Sequence, residues 1–148
     1  RTDVGTRTRI VQAEQAADGR WGILALGLNR VRVEEWLPDA PHPVASVTDW
    51  PDPDASTDLG DLMGETGARL RRVLALRAEV GERGPSPTVP LDVGDPPLAS
   101  FHLASLAPLG DLDRQHLLAA PSVSERLLAL DAMLADEEQV CRARLAGM

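Results

Sequence analysis

The stretch that decides the fold is residues 44–63, VASVTDWPDPDASTDLGDLM. Up to Trp50 it reads as a short strand. Pro51, Asp52, Pro53, Asp54 and Asp58 then make an acidic, proline-containing linker. Beyond the linker the period changes. Leu59, Leu62, Met63, Leu70, Val73, Leu74 and Val80 recur at helical spacing, with Arg69, Arg72 and Glu79 on other faces. One chain that turns from strand to helix texture at a single linker predicts an α+β fold, with a β-rich part over 1–56 and a mainly helical part over 57–148.

Working back toward the N-terminus, Val4, Thr6, Thr8 and Ile10 alternate with Arg7 and Arg9, which suits a sheet with one wet face. Asp18-Gly19 is a turn signal between apolar runs and predicts a hairpin. The run Trp21-Gly22-Ile23-Leu24-Ala25-Leu26 has no polar face and is expected to be a buried strand, with Gly27 marking a bulge or a close approach. Arg30, Arg32 and Glu34 then alternate with Val31 and Val33. Pro38, Pro41 and Pro43 make a loop.

Working forward, the first helix should end near Gly81 or Gly84. Pro85, Pro87 and Pro90 form an extended connector, with a short strand at 88–93 returning to the β part. Asp95-Pro96 reads as an N-cap followed by proline at the first helical position, opening a helix through Phe101, Leu103 and Leu106 toward Gly110. Asp111 caps a further short helix. Ser122-Val123-Ser124-Glu125 fits a capping box, followed by Val123, Leu127, Leu130, Leu134 and Cys141 on one side of the last helix.

Composition narrows the chemistry. An apolar fraction of 43% over 148 residues is enough for an interior. That interior is largely aliphatic, since the chain has three Trp, one Phe and no Tyr. All 15 basic residues are Arg. A Schiff base, a Ser–Lys dyad or a phosphate-loop lysine therefore has no residue to build it from. The net charge of −8 repels a nucleic-acid backbone on average, and the arginines stand singly or in pairs, so no nucleic-acid partner is expected. No apolar run approaches the ~20 residues of a membrane span. A single cysteine excludes an intramolecular disulfide, and a reducing cytoplasm is the default expectation.

The candidate motifs have plainer readings. Gly60, Gly64 and Gly67 lack the lysine of a phosphate loop. Residues 52–58 alternate oxygen ligands as a calcium loop does, but Thr57 stands where such a loop turns on Gly, and Met63 where it ends on Glu. The expectation is a solvated linker with Asp58 capping the next helix. His42, His102 and His116 lack zinc spacing. Cys141, near Glu137 and Glu138, is expected to be packed and inert. No metal, cofactor or catalytic residue is assigned. Trp36 and Trp50 fall at strand ends beside proline loops, where an amphipathic ring can line a groove. They are the candidate apolar anchors. Arg30 and Arg32 are candidate partners for acidic groups, or else solvated strand charges. The alternative class is a small hydrolase with a cryptic site drawn from Ser100, Ser105, His102, His116 and an Asp, a reading that requires at least two of these to converge.

Taken in order, Gly5-Thr6, Ile10-Val11, Asp18-Gly19-Arg20, the segment from Gly27 through Arg30 and Arg32 to Val33, and Pro43-Val44-Ala45-Ser46-Val47 form one half of a pattern. Ser100-Phe101-His102-Leu103-Ala104, Arg114-Gln115-His116-Leu117-Leu118 and Ser122 through Leu127 complete it. The set resembles the N-terminal, substrate-binding domain of Lon-type ATP-dependent proteases over nearly the whole chain. The resemblance implies a PUA-like β pseudo-barrel joined to a helical bundle. It also implies binding of peptides or unfolded protein substrates, with an adaptor or regulatory role beside a separate AAA+ protease. Two departures stand out. The Pro-rich strand and helix that open such domains have no match here, so the barrel is expected to lack a strand, and Val31 replaces a usual aromatic.

Overall fold

The computed structural model describes residues 1–53, 59–88 and 94–147. The fold is α+β. Strands β1 (Val4–Gln15), β2 (Trp21–Leu37) and β3 (Val44–Asp49) precede helices α1 (Gly60–Glu79), α2 (Pro96–Leu106), α3 (Asp111–Leu118) and α4 (Val123–Ala146). Two compact units result, Arg1–Pro51 and Asp52–Met148. The expected boundary at 56/57, the calcium-like residues 54–58 with the Asp58 cap, and residues 89–93 of the expected returning strand lie outside the described residues.

The β unit is an antiparallel sheet in the order β1-β2-β3. Asp18-Gly19 turns the first hairpin. Gly19 sits at φ +85°, a conformation open to glycine, and Asp18 Oδ1 accepts the Arg20 N–H at 3.1 Å. Arg20 holds the Asp18 carboxyl below its usual range. The pairing of β1 with β2 slips twice. Arg7 faces Asn29 but Thr8 faces Gly27, and Ile10 faces Ala25 but Gln12 faces Leu24. Leu28 and Val11 are thus the extra residues of two bulges. What looked like two strands either side of Gly27 is one 17-residue strand. A Cβ on Gly27 would come 3.4 Å from Thr6 Cγ2, the expected close approach.

In the helical unit the apolar period becomes a core. Leu70, Val73 and Leu74 of α1, Leu103 of α2, Leu117 of α3, and Val123, Leu127, Leu130 and Leu134 of α4 form one buried cluster. Each such side chain stabilises by roughly 1.5–3 kcal/mol on leaving water. The helix ends follow local chemistry. Asp95 accepts the Leu98 N–H at 3.0 Å with Pro96 at the first helical position, and Ser122 Oγ accepts the Glu125 N–H at 3.2 Å. At the end of α1, Gly81 adopts φ +87°, so its N–H reaches Ala78 O and the Glu82 N–H reaches Arg77 O at 2.9 Å. Two ends differ from expectation. Helix α2 stops at Leu106, short of Gly110, and Gly110 rather than Asp111 takes the cap position of α3.

Helices α1 and α4 are also joined by charge. Arg69 pairs with Asp131 at 2.7 Å and Glu138 at 3.4 Å, and Arg77 pairs with Glu137. The hydrogen bond from Arg142, with the nearby charges of Arg72 and Arg69, holds the Glu138 carboxyl below its ordinary 4.5, outweighing the opposing effect of burial. A carboxyl depressed on folding contributes stability above its unfolded pKa and loses that contribution as pH falls through the folded one. Helix unfolding by urea, followed by circular dichroism, should therefore show stability declining below about pH 4.5. Glu138→Gln should flatten that decline, and an unchanged profile would exclude Glu138 as a source of it.

Candidate functional site

The run from Trp21 to Leu26, expected to be buried, is exposed. Trp21 is 61% exposed, Ile23 60% and Leu24 59%. The cause is the reach of the sheet. Strand β3 pairs with β2 only from Val31 onward, with Asn29 Nδ2 reaching Asp49 Oδ1 at 2.7 Å, so residues 21–28 pair as a ladder with β1 alone among the described residues. An apolar run without a polar face signals that something covers it, and composition cannot say that the cover comes from the same fold.

Side chains of paired residues share a face of a sheet. Trp21 faces Gln15, Ile23 faces Ala13 and Ala25 faces Ile10. One face of the ribbon is therefore almost wholly apolar, and its Ile10 is as open as Ile23. On the other face Leu24 and Leu26 stand opposite Gln12 and Arg9, and Gly22 opposite Glu14. A shallow depression of about 290 Å³ lies there among Gln12, Glu14, Gly22 and Leu24. Contiguous exposed apolar surface of this kind marks an interaction site more often than isolated exposed side chains do.

The residues singled out in the sequence sit at the wider end of the sheet. The Arg30 and Arg32 guanidiniums lie 4.0 and 4.1 Å from the Trp50 ring centroid. Arg30 Nε donates to the Trp50 carbonyl at 3.0 Å, and the Trp50 N–H to the Arg30 carbonyl. Arg30 is only 6% exposed, so it is not a solvated strand charge, whereas Arg32 is exposed. Both guanidiniums share the Trp50 ring, so the ring alone does not separate them; Arg30 is additionally held by its Nε donating to the Trp50 carbonyl and its carbonyl accepting the Trp50 N–H. Trp36 is half-buried beneath Arg1, 4.9 Å from ring centroid to guanidinium carbon.

Sequence reasoning missed Arg126. It is fully buried, donating to Asp52 at 2.7 Å, to Ser100 Oγ at 2.7 Å and to the Leu117 carbonyl at 3.2 Å, with its guanidinium 3.7 Å from the Phe101 centroid. Asp52 is correspondingly not a solvated linker residue, since its side chain is 4% exposed. A signal was available. Residue 126 follows Val123 by three and precedes Leu130 by four, which puts it on the apolar face of α4.

The serines and histidines named for a hydrolase are otherwise engaged. Ser100 Oγ donates to the Pro97 carbonyl while accepting from Arg126, and Ser105 Oγ donates to the His102 carbonyl at 2.8 Å. His102 Nδ1 is buried and has no hydrogen-bond partner among the described residues. No serine–histidine hydrogen bond occurs among the described residues. Burial pushes the Cys141 thiol up, and Glu137 adds to the effect, in keeping with a packed cysteine. Among the described residues no cluster of three metal-ligating side chains is present, and no helix is long and apolar enough to cross a membrane.

This sheet-then-helices arrangement is that of Lon N-terminal domains, whose β part is PUA-like. The N-terminal domain of the Mycobacterium avium complex Lon protease superposes with a TM-score of 0.68 at 19% identity, covering 90% of this chain and 70% of that one. A Lon N-terminal domain protein from Xanthomonas campestris gives 0.62 at 24% identity, covering 88% and 68%. The family model for the ATP-dependent protease La (LON) substrate-binding domain matches residues 2–136, and the chain belongs to that family. A Lon protease of Brevibacillus choshinensis is 27% identical over 138 residues. That match takes in 93% of this chain but 18% of the relative, so the chain spans less than a fifth of the curated protein it matches.

Proposed function

We propose that this chain is a recognition module for unfolded or peptide segments, and that it makes and breaks no bond itself. The observation carrying this reading is the open apolar face formed by Ile10, Trp21 and Ile23 in a domain of a substrate-binding family. An extended segment would lie along the ribbon, gaining backbone hydrogen bonds from its free edge and apolar contact from alternate side chains. Trp36, Trp50, Arg30 and Arg32 would extend this surface at the wide end of the sheet, with exposed Arg32 meeting acidic groups. The net charge of −8 argues against a nucleic-acid partner. A cytoplasmic setting and service to a separate AAA+ protease, as adaptor or regulator, follow by analogy with the family.

The test is fluorescence anisotropy with a labelled, reduced and alkylated protein that cannot refold. Trp21→Ser combined with Ile23→Ser alters two exposed residues and should leave the circular dichroism spectrum unchanged. Affinity should fall by about tenfold or more, since each buried side chain is worth roughly 1.5–3 kcal/mol. Equal binding by wild type and variant, or equal binding of the same client in its native state, would refute the reading.

A further inference from the structure

The helical unit carries a separate cavity of about 400 Å³, between the end of α1, the loop that follows it and the end of α2. Its apolar side is built by Leu74, Leu106, Pro85 and Pro108, and Arg83 and Arg114 also line it. The other charged groups there are balanced. Arg77 is paired with Glu82 and Glu137, and Glu82 also takes Arg144. Arg83 and Arg114 make no ion pair among the described residues.

Arg114 is held as a fixed donor. Its Nε, Nη1 and Nη2 donate to the carbonyls of Leu109, Ser105 and Ala107, which closes the end of α2. A guanidinium has five N–H groups, so two remain for a ligand. An acidic chain thus keeps two arginines without an ion pair among the described residues around one small cavity of mixed polar and apolar lining, which is electrostatically suited to an anion with an apolar body. The volume lies at the small end of ligand sites and fits two or three residues rather than a folded surface.

We infer that this cavity binds the free C-terminus of a peptide ending in aliphatic residues, with the carboxylate on Arg83 and Arg114 and the last side chain against Leu74 and Leu106. The choice of a peptide rests on the recognition reading above, while the site shares no residue with the ribbon. The experiment uses the intact chain and an N-terminally labelled Ala-Leu-Ala tripeptide, as free acid and as amide, with hexanoate as competitor. The acid should bind at least about tenfold more tightly than the amide. Arg83→Gln, at an exposed position, should weaken the acid to the level of the amide, and Arg83→Lys should retain most of the binding. The inference is overturned if neither tripeptide binds, if acid and amide bind alike, or if hexanoate binds as tightly as the tripeptide acid. An unfolded protein measured in parallel separates the two readings. If it binds through the ribbon while the tripeptide acid does not, this inference alone falls. Carboxylate-dependent tripeptide binding that survives loss of the ribbon supports it.

Discussion

Arg126→Met is expected to destabilise the helical unit by about 3–5 kcal/mol, a large share of the ~5–15 kcal/mol available to a typical domain. The substitution preserves much of the side-chain volume but removes the guanidinium 2.7 Å from a carboxylate that is 4% exposed. Ser100 Oγ and the Leu117 carbonyl lose a donor at the same time. The loss comes mainly from what is left behind. Adding Asp52→Ala to the Arg126→Met chain should therefore recover part of the loss rather than deepen it, because the buried carboxylate is no longer kept without the Arg126 guanidinium. Urea unfolding followed at 222 nm reads the helices directly. A loss below about 1 kcal/mol would mean that water reaches Asp52 and that the pair behaves as a surface one.

The second large effect is expected from Leu130→Ala, at about 2–5 kcal/mol. Leu130 is fully buried at the centre of the cluster shared by α1 and α4, and its truncation leaves a cavity that the flanking helices can only partly fill. Leu128, two positions earlier on the same helix, is exposed, and Leu128→Ala should fall within about 0.5 kcal/mol of wild type. The contrast tests the rotational setting of α4. Equal losses at 128 and 130 would show that setting to be wrong.

The parts of the fold that were legible are those fixed by neighbours in sequence. Asp95 with Pro96, Ser122 with Glu125, and Gly19 and Gly81 at positive φ act through their own backbone, so a short window contains the whole cause. The apolar stripes of α1 and α4 were legible for the same reason. Exposure of residues 21–28 was not, because it depends on where β3 begins to pair, some twenty residues downstream. The partnership of Arg126 with Asp52 spans 74 positions, and neither residue type signals burial by itself. Arg30 was misread by the same rule, since alternation along a strand gives its face but not the Trp50 ring that covers it. Of the candidate site, the family pattern pointed to recognition, while the ribbon that supports it lay in a stretch assigned to the interior.

The uneven pairing of β2 bears on how this protein must be handled. Among the described residues, 21–28 have no third strand beside them, so no described strand pairs with the backbone groups on that side of β2. A second copy of the chain presents the same kind of edge and could pair with it. Mutual repulsion between molecules of charge −8 opposes that encounter, and it vanishes as the solution approaches the isoelectric point near 4.8. Colloidal stability thus rests on net charge as well as on the fold, and mild acid, by removing that charge, should favour self-association through the exposed apolar ribbon.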